Sequence, residues 1–267
     1  MRFGNCISYK DLDRIEILKN IGFDYIEIPV APVYTAESSE VSAFLNALEK
    51  NNIRCEAVNV LFKGGIVLTG DKADVAETTE YLNKIFDKTK DFGYEIVVLG
   101  SGGARKYPEG FPKDKAVRQI IDLIKNVICE LAEKYNFTLT IEELNGSETN
   151  IINTLSEAKY IVDEVNNPRI KLLADYYHIG LENDDVSQLK DYGKILEHCH
   201  IANPHKRYYP HKTDSDEAVS KYREFFDALK FAGYDKRMSI EGGLGAISDN
   251  FEEESRLSLE FMKSLCK

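Results

Sequence analysis

The feature that most constrains the fold of this chain is a regular alternation, from one end to the other, of short β-rich runs with longer segments of helical period. The segments between the runs carry apolar residues at helical spacing, as Val117, Ile120 and Ile124 do within 113–135. Eight runs have strand character: 2–7, 24–29, 53–59, 95–100, 137–142, 170–175, 195–201 and 237–241. This alternation predicts helices packed on a parallel sheet.

Glycines punctuate the predicted helix ends. Gly22, Gly93 and Gly233 each precede an aromatic residue, where glycine supplies a left-handed cap before the next strand. Eight strand–helix units with right-handed crossovers, in about 250 residues, are the content of a (β/α)8 barrel. The alternative is an open doubly wound sheet, but the glycine-rich turn of that fold is missing after the first strand, where residues 5–8 read NCIS. We therefore predict an α/β protein with a single (β/α)8 TIM barrel, forming one domain over 1–267.

Composition excludes several classes of function. The 267 residues include 34 Lys and Arg against 45 Asp and Glu, and the net charge of −11 repels phosphate backbones and anionic membranes. No apolar stretch approaches the roughly 18 residues of a membrane span, and the N-terminal residues do not resemble a signal peptide. Five scattered cysteines without a CxxC pair indicate neither a disulfide framework nor a thiolate zinc site. We expect a cytoplasmic protein that binds neither nucleic acid nor membranes.

Each of the last four predicted strands carries, at its carboxyl end, a residue that can bind a metal. These residues are Glu142, Asp175, His200 and Glu241. The active site of a TIM barrel is built from the carboxyl ends of its strands, so four such residues on consecutive units point to one shared site. Three carboxylates and an imidazole repel one another unless a cation neutralises them. Oxygen-rich coordination with one nitrogen suits Mn²⁺, Mg²⁺ or Co²⁺, with Zn²⁺ as an alternative. We expect one divalent ion per chain and favour Mn²⁺.

A second group of polar residues follows these strand ends. Glu148, His178 and Arg207 would place a carboxylate, an imidazole and a guanidinium around one small polar ligand, which is a set typical of carbohydrate binding. Each is also consistent with a polar loop residue or a helix cap. The loop 100–105 after the fourth strand is either a flexible turn or a substrate-side loop, and in the second case Ser101 and Arg105 contact the substrate.

These residues form motifs of a known family. The motifs are E-x-x-N-x-x-E at 142–148, D-x-x-H at 175–178, His200 with a following Arg207, and Glu241 on the final strand. With these motifs in this order, the chain resembles the xylose isomerase-like TIM-barrel superfamily of sugar isomerases and epimerases along essentially its whole length. The nearest patterns are those of the ketohexose 3-epimerases and of inosose isomerase-like proteins.

The resemblance implies a metal-dependent sugar isomerase or epimerase that works through a metal-bound cis-enediolate, with ketose 3-epimerisation as the expected reaction. One of Glu142 and Glu241 removes the proton beside a polarised carbonyl, and the other returns a proton to the opposite face. His178 and Arg207 hold substrate hydroxyls, while Glu148 orients His178 or binds a terminal hydroxyl. Protonation at the adjacent carbon would instead give aldose–ketose isomerisation.

Other activities stay open at this point. Proteins with the same metal residues include hydroxypyruvate isomerase-like, inosose dehydratase-like and C-glycoside-cleaving proteins, and a non-catalytic sugar-binding barrel needs the same residues. An endonuclease IV-like nuclease with three zinc ions is not expected, because the third and fourth strands end in Asn59 and Gly100 and every histidine lies at position 178 or later. The expected partner is a small sugar or polyol, and a homo-oligomer is expected from the resembling families.

Overall fold

A closed barrel of parallel strands forms the centre of the molecule in the computed structural model, which describes residues 1–245 and 247–267. The strands are β1 (Arg2–Cys6), β2 (Tyr25–Pro29), β3 (Arg54–Asn59), β4 (Ile96–Leu99), β5 (Thr138–Glu142), β6 (Ile170–Asp175), β7 (Leu196–Ile201) and β8 (Arg237–Ile240). Each strand pairs with the next along the chain, and β8 closes the barrel against β1 with Arg237 opposite Arg2. The predicted (β/α)8 TIM barrel is confirmed.

Helices lie outside the barrel, in the segments between successive strands and after β8. They are α1 (Leu12–Ile21), α2 (Ser38–Asn51), α3 (Val75–Thr89), α4 (Gly102–Arg105), α5 (Lys113–Leu123), α6 (Cys129–Tyr135), α7 (Leu155–Val165), α8 (Tyr176–Glu182), α9 (Leu189–Tyr192), α10 (Asp216–Phe231) and α11 (Phe251–Leu265). A π-helical segment, Ile124–Ile128, joins α5 to α6, so the predicted helix over 113–135 is continuous. Over the part of the chain that the structure describes, no helix is long and apolar enough to cross a membrane.

Three residues predicted as strand ends lie just outside their strands, and one of them is Gly100, which follows β4. The other two are Ile7, which follows β1, and Glu241, which follows β8. Each still donates one backbone hydrogen bond to the neighbouring strand, from Ile7 to the Glu27 carbonyl at 3.0 Å and from Glu241 to the Ile201 carbonyl at 3.2 Å. The strand direction therefore continues through these residues, and Glu241 keeps the position that a strand-end residue would have.

Packing closes the amino end of the barrel and leaves the carboxyl end open. Tyr25 fills the interior beside Gly4, where a Cβ atom would lie 2.3 Å from the tyrosine ring, so only glycine fits there. The buried Glu56 carboxylate accepts hydrogen bonds from Arg2 and Arg237 at that end of the barrel. Chemistry is thereby confined to the opposite end, where the strands deliver their last residues.

Candidate active site

The four predicted ligand residues come together at the carboxyl end of the barrel. Glu142 and Asp175 are the last residues of β5 and β6. His200 is the next-to-last residue of β7, and Glu241 directly follows β8. One ligand atom from each lies within 4.8 Å of the others, and Nδ1 of His200 is 3.1 Å from Oε1 of Glu142 and 3.6 Å from Oε2 of Glu241. Residues far apart in sequence thus form a single polar cluster.

The electrostatics of this cluster call for a cation. Asp175 is fully buried, and its Oδ2 atom has no hydrogen-bond partner among the residues that the structure describes. Burial raises the pKa of Asp175 to about 8, and the carboxylates of Glu142 and Glu241 act in the same direction. Burial disfavours a charged His200, but Glu27 and Glu241 nonetheless hold the pKa of its imidazole well above the usual value. Without an ion the cluster retains protons, because its negative charges are otherwise not balanced.

The donor set fits a divalent metal ion. Three carboxylates supply hard oxygen ligands and His200 supplies one imidazole nitrogen, which is a combination that divalent ions such as Mn²⁺, Mg²⁺, Co²⁺ and Zn²⁺ accept. The partnerless Oδ2 atom of Asp175 belongs to this set, and a bound cation would satisfy it. The orphaned oxygen, rather than the presence of acidic residues alone, supports a metal site.

Gly100 makes room for one of these ligands. It directly follows β4, and a Cβ atom placed on it would lie 2.0 Å from Oε2 of Glu142. Any other residue would push the carboxylate of Glu142 aside, because the clash is with the functional oxygen itself. The glycine at this strand end therefore has a steric role in the site.

His178, in α8, is held as a neutral imidazole beside the ligand set. Its Nδ1 atom accepts from the Asn145 backbone N–H at 3.1 Å and lies 2.8 Å from the side-chain amide nitrogen of Asn145. Burial lowers the pKa of His178 to about 2, and the positive charges of Arg207 and Arg105 add to this effect. Since a backbone N–H can only donate, Nδ1 is the acceptor and Nε2 carries the proton. Nε2–H lies 3.5 Å from Asp175 Oδ2 without a hydrogen bond and is free to donate to a ligand.

Arg207 links two acidic residues across the site. Its guanidinium donates to Oε1 of Glu148 at 3.1 Å and to Oε2 of Glu241 at 2.7 Å, and it stacks 4.4 Å from the ring centroid of Tyr177. Burial would lower the pKa of Arg207, but the negative charges of Glu241, Asp175 and Glu148 outweigh burial and raise this pKa above its ordinary value. Glu148 also accepts from the side chain of Asn145, so it reaches His178 only through that residue.

A cavity of about 360 Å³ opens beside the ligand set. Cys6, Asn59, Val60, Arg207 and Glu241 are among the residues that line it. The volume is at the lower end of the range of roughly 300–1,000 Å³ that is typical of small-molecule sites. Val60 has φ of 47°, a left-handed conformation that β-branched residues rarely adopt. The cavity therefore combines polar groups with one strained apolar residue, as functional sites often do.

The loop after β4 differs from the prediction. Arg105 is fully buried, and its guanidinium donates to the carbonyl oxygens of Leu99 at 3.0 Å, Glu142 at 2.7 Å and Ile152 at 3.2 Å. Burial lowers the pKa of Arg105 to about 10. In this structure the guanidinium therefore supports the ends of β4 and β5. Ser101 is half-buried, and its Oγ accepts from the Phe62 backbone N–H at 3.0 Å.

Sequence reasoning missed several polar residues of the site. Asn59, the last residue of β3, donates from Nδ2 to Oε1 of Glu241 at 2.8 Å. Cys6 ends β1 beside the cavity, and Glu27 and His198 lie buried beneath the ligand set. A signal existed for Glu27, because a lone carboxylate inside the apolar strand Tyr25–Pro29 needs a buried partner.

Fold and site together define a (β/α)8 barrel enzyme whose strand-end carboxylates and histidine suit a divalent ion beside a small polar cavity. The family model described as "Xylose isomerase-like TIM barrel" matches residues 15–265. The chain belongs to this family, which confirms the resemblance inferred from the motifs.

Known relatives point to sugar epimerases. The chain is 26% identical to a ketose 3-epimerase of Arthrobacter globiformis over 229 residues, which cover 85% of this chain and 75% of that protein. It is 26% identical to an L-ribulose 3-epimerase of Methylomonas sp. (strain DH-1) over 230 residues, which cover 85% of this chain and 77% of that protein. The crystal structure of D-psicose 3-epimerase with D-tagatose from Clostridium cellulolyticum H10 superposes over 100% of both chains with a TM-score of 0.82 at 18% identity. Epimerases are isomerases, and the prediction of an isomerase is confirmed.

Proposed function

We propose that this protein is a divalent-metal-dependent sugar epimerase that inverts C3 of a ketose, with Glu142 and Glu241 as its acid–base pair. The observation that carries the proposal is the position of these two carboxylates. They come from β5 and β8, three strands apart, and approach Nδ1 of His200 at 3.1 and 3.6 Å. Two carboxylates that meet at one site from different strands can flank a bound substrate, and proton removal and return on opposite faces of a carbon require such a pair.

A metal ion would be held by Glu142, Asp175, His200 and Glu241, and we propose Mn²⁺. When bound, the ion supplies Lewis acidity that polarises the substrate carbonyl and so acidifies the neighbouring C–H. One glutamate then takes the proton from C3, and the other delivers a proton to the opposite face of the same carbon.

Two further side chains are suited to the charge that develops on the substrate oxygens. Nε2–H of His178 is a neutral donor without a partner inside the barrel, and Arg207 is a permanent cation beside the cavity. Preorganised donors of this kind stabilise an enediolate as it forms. Glu148 holds Arg207 in place through the 3.1 Å ion pair and is not in direct contact with His178.

The names of the relatives support the choice of C3 and of a ketose. One is a ketose 3-epimerase and another an L-ribulose 3-epimerase, and each alignment covers 85% of this chain. The cavity of about 360 Å³ is compatible with a single small sugar.

The test is solvent deuterium incorporation into a panel of ketoses, namely D-psicose, D-tagatose, D-fructose and L-ribulose. Protein loaded with Mn²⁺ and incubated in D₂O is expected to incorporate deuterium at C3 while the C3 epimer accumulates. Chelator-treated protein is expected to do neither. Glu241→Gln should reduce turnover by about 10²- to 10⁴-fold, the usual contribution of general acid–base catalysis. The exposed Glu217→Gln on α10 is the matched control and should retain turnover.

Each alternative activity predicts a different product. Deuterium at C1 or C2 with an aldose product would indicate aldose–ketose isomerisation, and loss of water would indicate a dehydratase. Binding of a ketose without exchange of any C–H would indicate a non-catalytic sugar-binding barrel. Any of these results would overturn C3 epimerisation.

A further inference from the structure

A buried hydrogen-bond network lies directly beneath the candidate metal site. Its centre is Glu27, in the middle of β2, which is inaccessible to solvent. Nε2 of His200 lies 2.9 Å from Oε1 of Glu27, and Nε2 of His198 lies 2.8 Å from Oε2. Ser239 on β8 also donates to Oε2, at 2.7 Å. The carboxylate is thus shared by three side chains from β7 and β8, on strands distant from its own.

These contacts fix the protonation pattern of the two histidines. An ionised carboxylate only accepts hydrogen bonds, so Nε2 carries a proton in both His198 and His200. Ser239, His198 and His200 surround the two oxygens of Glu27 at 2.7, 2.8 and 2.9 Å, an arrangement that an ionised carboxylate satisfies by accepting from all three. The remaining nitrogen of a neutral His200, Nδ1, then presents a lone pair to the ligand set.

The direction of that lone pair is informative. Nδ1 of His200 faces Oε1 of Glu142 at 3.1 Å and Oε2 of Glu241 at 3.6 Å. Without an ion, a proton on Nδ1 can bridge His200 to these carboxylates, whereas in a loaded site the lone pair of Nδ1 would be a ligand of the metal ion. Metal-bound histidines commonly donate their second N–H to a carboxylate, which fixes the ring and raises its basicity.

We propose that Glu27 is a positioning residue of the metal centre, one that acts through His200. It fixes the tautomer and the ring plane of His200 so that Nδ1 points to the ion. Ser239 and His198 in turn fix Glu27 by saturating its second oxygen. This inference rests on the proposed function, because it requires that Glu142, Asp175, His200 and Glu241 bind a divalent ion.

A different use of the same residues is less consistent with the contacts. Ligand atoms of Cys6, Glu27 and His200 also lie within 4.8 Å of one another, as the ligands of a second ion would. That ion would have to displace the proton on Nε2 of His200, and both oxygens of Glu27 already accept hydrogen bonds. The contacts therefore favour a supporting network over a second metal site.

Glu27→Gln is the variant that tests this role. Two donors, His198 and Ser239, meet at Oε2, so the amide oxygen of glutamine will take that side and its NH₂ group will face His200. Nε2 of His200 must then accept, and its proton moves to Nδ1, the atom that should bind the metal. Ser239→Ala is the matched control, because it removes one bond to Glu27 and leaves both imidazole contacts in place.

The readout is the affinity of chelator-treated protein for Mn²⁺, measured by isothermal titration calorimetry. Loss of an outer-shell partner typically weakens metal affinity by 10- to 100-fold, and we expect this for Glu27→Gln and only a few-fold change for Ser239→Ala. Equal losses of Mn²⁺ affinity in both variants, or wild-type affinity in Glu27→Gln, would overturn this inference but not the proposed function. A wild-type protein that binds no divalent ion would overturn the proposed function and this inference with it. A second bound ion that Glu27→Gln loses would identify the Cys6 cluster as a metal site and would also overturn the inference.

A measurement on the wild-type chain covers the case in which the variant does not fold. Long-range ¹H–¹⁵N correlation spectra of protein loaded with diamagnetic Mg²⁺ or Zn²⁺ report which nitrogen of each imidazole carries a proton, and His200→Gln assigns the signal. We expect His200 to be protonated at Nε2 and its Nδ1 resonance to shift on metal addition. Protonation at Nδ1 would contradict the role given to Glu27.

Discussion

Arg207 donates from Nη2 to Oε2 of Glu241 at 2.7 Å, so a loop guanidinium is bound directly to a carboxylate of the candidate ligand set. The same guanidinium holds Glu148 at 3.1 Å through Nη1. A metal ion bound by this ligand set would therefore share Glu241 with Arg207. Binding of a cation by Glu241 would weaken its attraction for Arg207 and leave the guanidinium available to a substrate oxygen.

Replacement of Arg207 should reduce catalysis more than stability. Hydrogen bonds to charged groups contribute about 1.5–3 kcal/mol, so we expect Arg207→Ala to reduce kcat/KM for the identified ketose by about 10- to 100-fold. The neighbouring exposed Lys206→Ala is the control and should leave kcat/KM near the wild-type value. Steady-state kinetics measure this effect. An Arg207→Ala enzyme with wild-type kcat/KM would exclude a role of Arg207 in catalysis.

Gly100→Ala should weaken the metal site without replacing a ligand residue. The added Cβ would lie 2.0 Å from Oε2 of Glu142, so the carboxylate must move and metal affinity should fall. Gly103→Ala is an informative control in the same loop, since nothing lies within 4 Å of its Cβ position. Titration calorimetry with Mn²⁺ is the measurement. If both alanine variants bind Mn²⁺ with wild-type affinity, metal binding does not depend on the position of the Glu142 carboxylate described above.

Arg105→Ala should lower the stability of the folded protein. The change removes the guanidinium donors from the carbonyl oxygens of Leu99, Glu142 and Ile152, of which Ile152 keeps the hydrogen bond from the Leu144 N–H, and each buried group left unsatisfied costs about 1–3 kcal/mol. We expect the free energy of unfolding to fall by about 3 kcal/mol or more. Arg118→Ala, which loses only an exposed ion pair, should change it by about 1 kcal/mol or less. Denaturant unfolding measures both. A stable Arg105→Ala protein with a raised KM would contradict this structural role and identify Arg105 as a substrate contact.

The chelated protein should become less stable as the pH rises. Asp175 titrates at about 8 in the folded chain against a reference of 3.8, so the folded state binds a proton that the unfolded state has released. The stabilising effect is complete below about pH 4 and disappears as the pH rises toward 8. Melting temperatures of chelated wild type and Asp175→Asn across this range test the point, and the variant should lack this component. A wild-type slope identical to that of Asp175→Asn would contradict it.

The barrel and the convergence of the ligand residues could be predicted because both depend on local patterns. Alternating strands and helices specify the topology, and parallel strands bring their last residues, such as Glu142 and Asp175, to one end. Glu27 could not be placed in this way. It lies in the middle of β2 and is separated by 171 and 173 residues from His198 and His200, so only the closed barrel brings them into contact.

Two other residues show where sequence patterns fail. Asn59 ends a strand as Asp175 does, but an amide did not qualify as a metal ligand, and its bond to Glu241 is a contact between strands that are not adjacent. Arg105 follows a glycine-rich turn, and the direction of its side chain depends on the backbone of α4, with Ser101 at φ of 26° just before that helix. Glycine-rich turns permit several such geometries, so the sequence alone did not distinguish a buried arginine from an exposed one.

The central claim is that Glu142, Asp175, His200 and Glu241 form one divalent metal centre. Elemental analysis of metal per chain, on purified protein before and after chelation and reconstitution, tests it most directly. The account predicts one divalent ion per chain, lost on chelation, restored by Mn²⁺, and absent from Glu142→Ala and Asp175→Ala proteins that remain folded. A wild-type chain that retains no ion and gains no thermal stability from Mn²⁺, Mg²⁺, Co²⁺ or Zn²⁺ would contradict it.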